Sequence, residues 1–157
     1  MRIILEGCDG TGKTTLANIL AFKYGLDICH CTASDPSDFQ FYKHTVRKDN
    51  VIWDRHTIGE LIYPEIFSRE PKTSTEDARI VLWNAKELGA KCFVLTERPS
   101  VIRERLLARG NEDPRILNNI EKINNEFLFY ADQYNIPVIN TSYMTLGEIF
   151  SMIERGN

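Results

Sequence analysis

The chain has 157 residues, a length that suits one domain built on a single core over residues 1–157. With 43% hydrophobic and 26% charged residues it has a soluble globular composition, and no apolar run approaches the roughly 18 residues of a membrane helix. A formal net charge of −3 supplies no field to draw it to nucleic acid, which is disfavoured as a partner. Glu6 and Asp9 interrupt the apolar start, which argues against a signal peptide and for a cytoplasmic protein. The four cysteines include no CxxC pair, so reduced thiols are expected rather than a zinc or disulfide framework. Cys29 and Cys31 would share one face of a strand.

In chain order, the apolar run 2–6 (RIILE), ended by Gly7, predicts a buried parallel strand. Residues 13–23 place Leu16, Ile19, Leu20 and Lys23 at helical spacing before Gly25. DICHCT (27–32) reads as a second strand, followed by a turn and about one helix before a third strand, VIWD (51–54). Two helices are predicted over 57–68 and 75–88, the second with a capping box of Thr73 and Glu76. KCFVLT (91–96) is a fourth strand, and a helix opened by Pro99 runs to Arg109. A long helix from about 114 to 134, a strand over 137–141 and a helix over 145–154 complete the chain. Strands alternating with helices predict an α/β fold, with a five-stranded parallel sheet covered on both faces.

Gly7-Cys8-Asp9-Gly10-Thr11-Gly12-Lys13-Thr14 matches the pattern GxxxxGK[ST] between a strand and a helix. In this setting backbone N–H groups wrap a phosphate and the helix adds its positive end. Lys13 then reaches the β- and γ-phosphates, and Thr14 offers its hydroxyl to Mg²⁺. Gly10, Thr11, Gly12, Lys13, Thr14 and Thr15 are therefore the expected phosphate-binding residues for ATP. Asp9 is out of place in such a cradle, since a carboxylate repels phosphate. Asp54, closing the third strand, is a candidate second metal-side group, with Arg55 directly after it. A surface ion pair is the alternative reading of Asp54-Arg55. The segment 97–115 carries five arginines, at 98, 103, 105, 109 and 115, either a solvated helix face or an anion site.

LEGCDGTGKTT, DRHTIGELIY and LTERPSVIRERLLARGNEDPRI resemble three segments of thymidylate kinases, in the family's order. The absence of an NKxD motif disfavours GTPases. The resemblance implies a three-layer P-loop kinase sandwich with an arginine-bearing lid at about 109–116. It also implies ATP- and Mg²⁺-dependent transfer to a deoxynucleoside monophosphate, thymidylate or a 5-substituted analogue first. Asp9 would then accept from the acceptor's 3′-hydroxyl and Arg55 would hold its 5′-phosphate. Asp54 would serve the metal or orient the acceptor. Tyr63 would pack on the deoxyribose, or else be a core aromatic. His56 stands where the family often has tyrosine and reads as structural. Gly10 replaces the arginine some members carry in the loop, so the lid would supply the catalytic guanidinium, from Arg109 or Arg115. Arg109 would also stack on adenine, near the backbone of Asn140-Thr141-Ser142. Relatives of this kind are commonly dimers, which makes a homodimer an expectation.

The pattern breaks between 33 and 50, where 18 residues replace the longer segment that builds the thymine pocket. Phe39, Phe41, Tyr42 and Arg47 remain as base-contacting candidates there, or Phe39 and Phe41 pack a short helix on the sheet. The shortened cap admits a kinase for a deoxynucleoside, or for a modified nucleotide hydroxyl in DNA. A non-catalytic nucleotide-binding regulator is a third reading, against which Lys13, Thr14, Asp54 and the arginines speak.

Overall fold

Five parallel strands form one sheet in the order β2-β3-β1-β4-β5: β1 (Arg2–Gly7), β2 (Asp27–His30), β3 (Val51–Asp54), β4 (Ala90–Thr96) and β5 (Val138–Asn140). The computed structural model describes residues 1–32, 34–110 and 112–155. The sheet is covered by α1 (Lys13–Tyr24), α2 (Phe39–Thr45), α3 (Thr57–Ile66), α4 (Thr75–Glu87), α5 (Pro99–Arg109), α6 (Pro114–Asn118), α7 (Ile120–Gln133) and α8 (Leu146–Arg155).

Two apolar clusters fill the spaces above and below the sheet, because residues alternate faces along each strand. Ile4, Trp53, Cys92 and Val94 point to the side of α3, α4 and α7. Ile3, Leu5, Ile52, Phe93 and Leu95 point to the side of α1 and α8. Strands buried on both faces explain why RIILE and KCFVLT read as continuous apolar runs. Among the described residues, no helix is long and apolar enough to cross a membrane. Cys8 and Cys92 are buried, and Cys29 and Cys31 half-buried.

Several local expectations need correction. The capping box of α4 is formed by Ser74 and Asp77, not Thr73 and Glu76: the Asp77 N–H donates to the Ser74 hydroxyl at 3.1 Å. Thr73 is unavailable because its hydroxyl donates to the Ser37 carbonyl at 2.8 Å. The helix expected over 114–134 is two helices, broken at Asn119, whose backbone leaves the helical region at φ −121° and ψ 15°. The Asn119 amide donates to the Arg115 carbonyl at 2.8 Å and closes α6, a local side-chain bond competing with helix continuation. β2 stops at His30 because the Thr32 N–H turns to the Asp35 carboxylate at 2.6 Å. Asn111, part of the expected lid, lies outside the described residues.

Parallel register brings the carboxyl ends of β1, β2, β3 and β4 to one edge of the sheet, where Gly7, His30, Asp54 and Thr96 end their strands and His30 and Asp54 line the crevice. Gly7 ends β1 at φ +139°, and a Cβ there would sit 2.3 Å from the Leu95 carbonyl oxygen. The turn into α1 begins at that contact.

Candidate active site

Gly10 and Gly12 take left-handed φ values of +83° and +91°, which turns the loop around the start of α1. Lys13 is buried, and its ammonium donates to the Gly7 and Cys8 carbonyls at 2.7 and 2.8 Å. Burial draws its pKa below the ordinary lysine value, against the attraction of Asp9 and Asp54. The Thr14 hydroxyl donates to Asp54 Oδ2 at 2.5 Å, and His30 Nδ1 lies 3.2 Å from the same oxygen. The register that pairs His30 with Asp54 makes this contact. Asp54 Oδ1 is buried without a partner among the described residues. A buried, unspent carboxylate oxygen beside a hydroxyl fits a hard divalent cation, which prefers oxygen donors.

Asp9 sits at the centre of the crevice. Arg55 donates to Asp9 Oδ1, and the Tyr63 hydroxyl donates to Oδ2 at 3.2 Å. Burial works to raise the Asp9 pKa, but Lys13 and Arg55 together hold it below the usual aspartate value. Arg55 itself has φ +72°, an uncommon conformation for a residue with a side chain. Glu6 supports this turn from beneath: its Oε1 accepts from the Ile58 N–H at 2.7 Å. Burial pushes the Glu6 carboxyl up to about 7, despite the N–H donors of Ile58 and His56. His56 is buried between Tyr42 and Trp53, 4.8 and 5.8 Å away by ring centroids, and donates to or accepts from Thr45 at 3.0 Å. Burial pushes its pKa down to about 3, so it is uncharged at neutral pH and acts as packing.

Three cavities meet here. One of about 290 Å³ is lined by Gly10, Gly12, Lys13, Thr14, His30, Asp54 and Arg109. A second of about 380 Å³ is lined by Tyr42, Glu60, Tyr63, Phe67, Arg69, Ile116 and Phe127. Asp9, Arg55, Cys31 and Thr32 line both. A third of about 610 Å³ lies between the loop and α8, against Thr15, Leu16, Arg109, Thr141, Met144 and Leu146.

The structure thus brings Asp9, Gly10, Gly12, Lys13, Thr14, Asp54, Arg55, Tyr63 and Arg109 together. Thr11 and Thr15 lie on the third cavity. Arg115 stands apart from the loop: it pairs with Asp113 at 2.7 Å and lies over the Phe67 ring at 4.7 Å, beside the second cavity. Phe39 and Arg47 do not line that cavity. Phe39 packs against the core beneath Lys43, and exposed Arg47 borders a separate groove with Cys29, Phe41 and Trp53. Of the four candidates in this segment, Tyr42, buried on α2, is the one that lines the cavity, while Phe41 borders the same separate groove as Arg47. Arg103 is exposed and bonds the Leu117 carbonyl at 2.7 Å.

Sequence reasoning missed Glu97. Its carboxylate accepts from Ser142, from the Arg98 N–H at 2.7 Å, from Thr141 at 3.1 Å and from Arg105 at 3.2 Å. Burial works to raise its pKa, but these donors hold it below the ordinary glutamate value. Arg105 also donates to the Gly10 carbonyl at 3.0 Å, and Thr141 to the Thr11 carbonyl at 3.2 Å. The signal available was weak: an acidic residue between a strand end and Pro99.

The fold is that of P-loop kinases, and the chain is similar to nucleoside and nucleotide kinases, enzymes of phosphoryl transfer. ATP and usually Mg²⁺ serve enzymes of this class. No protein-family model matches the chain. It is 25% identical over 98% of its length to cytidylate kinase 2 of Borreliella afzelii, of which the match spans 94%. It superposes on the YorR protein of Bacillus subtilis, solved in complex with phosphorylated GDP, with a TM-score of 0.80 and 25% identity, covering 99% of this chain and 94% of that one. Thymidylate kinase from Candida albicans shares the fold at a TM-score of 0.61 and 16% identity, covering 98% and 88%.

Proposed function

We propose that the protein transfers the γ-phosphoryl group of ATP to a pyrimidine deoxynucleoside monophosphate. The observation that carries this reading is the shared wall of two cavities: Asp9 and Arg55 face both the Lys13 cavity and the Tyr63–Phe67 cavity. A donor phosphate in the first and an acceptor phosphate in the second meet at those two residues. The Asp9 carboxylate suits a sugar hydroxyl, and the Arg55 guanidinium suits the acceptor phosphate. Tyr63, fixed by its bond to Asp9, would lie against the sugar and disfavour a 2′-hydroxyl.

Two considerations support a pyrimidine base. The motifs resemble thymidylate kinases, while relatives alignable over nearly the whole chain are named cytidylate kinase, and both names specify a pyrimidine. Thymine in particular draws no support from Phe39 and Arg47, which lie off the cavity.

Transfer between phosphates needs placement and charge neutralisation more than a base. Lys13 and the loop N–H groups hold the donor phosphates, and Arg109, on both donor-side cavities, faces the migrating group. Thr14 and Asp54 would hold Mg²⁺, which supplies charge neutralisation at the phosphate oxygens. Arg115 serves the acceptor side.

Two results are expected from steady-state kinetics with ATP and a deoxynucleoside monophosphate panel. Arg55→Ala raises the acceptor KM on the order of 10- to 100-fold, the worth of a hydrogen bond to a charged group, and leaves the ATP KM nearly unchanged. Equal losses for both substrates remove Arg55 from the acceptor site. Arg109→Ala lowers kcat roughly 100-fold, whereas Arg115→Ala acts on the acceptor KM. Unchanged turnover in both variants disproves a lid arginine.

A further inference from the structure

The acceptor cavity contains a charge pair that neither the phosphate nor the sugar uses. Glu60, from the first turn of α3, is buried, and Arg69, just beyond the helix, closes on it as a fork. Nη1 donates to Oε1 at 2.6 Å and Nη2 to Oε2 at 2.7 Å. Nη1 also donates to the Glu70 carbonyl at 3.3 Å, and Oε1 also accepts from the Lys72 N–H at 2.9 Å.

Counting the remaining capacity leaves a defined array. A guanidinium has five N–H donors, and its Nε–H and outer Nη2–H lie side by side on one edge. Neither has a second partner among the described residues. Oε2, next to Nη2, accepts from Arg69 alone and keeps a lone-pair site. The free edge of the pair therefore runs donor, donor, acceptor.

We propose that the Arg69–Glu60 pair reads the base of the acceptor and selects cytosine. The proposal rests on the monophosphate kinase reading above. Cytosine presents O2 and N3 as adjacent acceptors and N4–H as a donor, the complement of that edge in order. Uracil and thymine place an N3–H donor in the middle, facing the donor Nη2, and an acceptor O4 facing Oε2. Two of three contacts then become repulsive. The flat ring packs on Phe67, while Tyr63, its ring 26° from parallel to that of Phe67 at 6.1 Å, stays with the sugar.

The test uses the full chain with ATP, Mg²⁺ and dCMP, dUMP, dTMP, dAMP, dGMP or deoxycytidine as acceptor. The expected kcat/KM for dCMP exceeds that for dUMP by about 100-fold or more, since a site built to bond a polar edge rejects a mismatched one strongly. Equal values for dUMP or dTMP, or a preference for dGMP or dAMP, overturn the cytosine assignment and leave monophosphate transfer standing. Phosphorylation of deoxycytidine but not dCMP overturns the monophosphate reading and leaves the base assignment standing. If no acceptor is phosphorylated, calorimetric binding decides: dCMP tighter than dUMP supports the base assignment, and equal affinity overturns it. Arg69→Lys keeps a cation beside Glu60 while removing the fork. It lowers the dCMP to dUMP preference roughly 10-fold at unchanged ATP KM, and an unchanged preference removes Arg69 from base reading.

Discussion

Lys13→Ala reduces phosphoryl transfer by roughly 10³-fold or more, the scale of losing a preorganised charge at a reacting oxygen. Lys13 sits within the loop it serves, pinned to the Gly7 and Cys8 carbonyls and surrounded by Asp9, Arg55 and Asp54. Its removal takes from those carbonyls the cation that they accept from. Lys13→Arg does not restore activity, because a planar five-donor fork cannot occupy a buried site shaped for one ammonium. Single-turnover measurements at saturating ATP check both variants, and thermal melts confirm that each is folded. Wild-type turnover in Lys13→Ala would remove the loop from the mechanism.

Gly7→Ala destabilises the fold by roughly 3 kcal/mol or more, in the range of backbone strain combined with an unrelieved clash. Two independent penalties coincide at Gly7: a φ of +139°, and a Cβ position 2.3 Å from the Leu95 carbonyl oxygen. That oxygen belongs to β4, the neighbour of β1, and cannot move without opening the sheet beside the site. Urea unfolding with an unchanged slope and a lowered midpoint is the expected result. Gly12→Ala meets no atom within 4 Å, so its penalty is conformational alone and smaller. Equal stability of Gly7→Ala and wild type would contradict the geometry at the end of β1.

Much of this architecture was legible because it is local. RIILE, VIWD and KCFVLT are apolar runs that only a doubly covered sheet buries, and each became a strand within a residue of its expected limits. The glycine loop was legible because its spacing is itself the conformation. Thr73 and Asn119 were misread because competing partners decided them: a carbonyl 36 residues away for Thr73, and a local amide bond for Asn119. The site divides in the same way. Asp9, Lys13, Thr14, Asp54 and Arg55 lie within motifs and met as their spacing requires. Glu60, Arg69 and Glu97 lie outside any motif, and their chemistry exists only once α3, β4 and the β5–α8 turn are packed. Over 33–50 the composition offered Phe39, Phe41, Tyr42 and Arg47 alike, and packing alone decided that Tyr42 faces the cavity.

The position of Gly10 bears on the same division. A Cβ there would lie 3.2 Å from the Ile102 carbonyl oxygen and 3.3 Å from Leu106. The loop is pressed against α5 at this residue, and a side chain there meets both that contact and a φ of +83°.

Glu97 has a mechanical meaning as well. Arg105, which ties Glu97 to the Gly10 carbonyl, lies one helical turn before Arg109 on α5. Thr141, tied to the same carboxylate, holds Thr11. α5, the phosphate loop and the β5–α8 turn are thereby yoked through one side chain. A swing of α5 that carried Arg109 toward the phosphates would drag the loop with it, and the gap between them would not close.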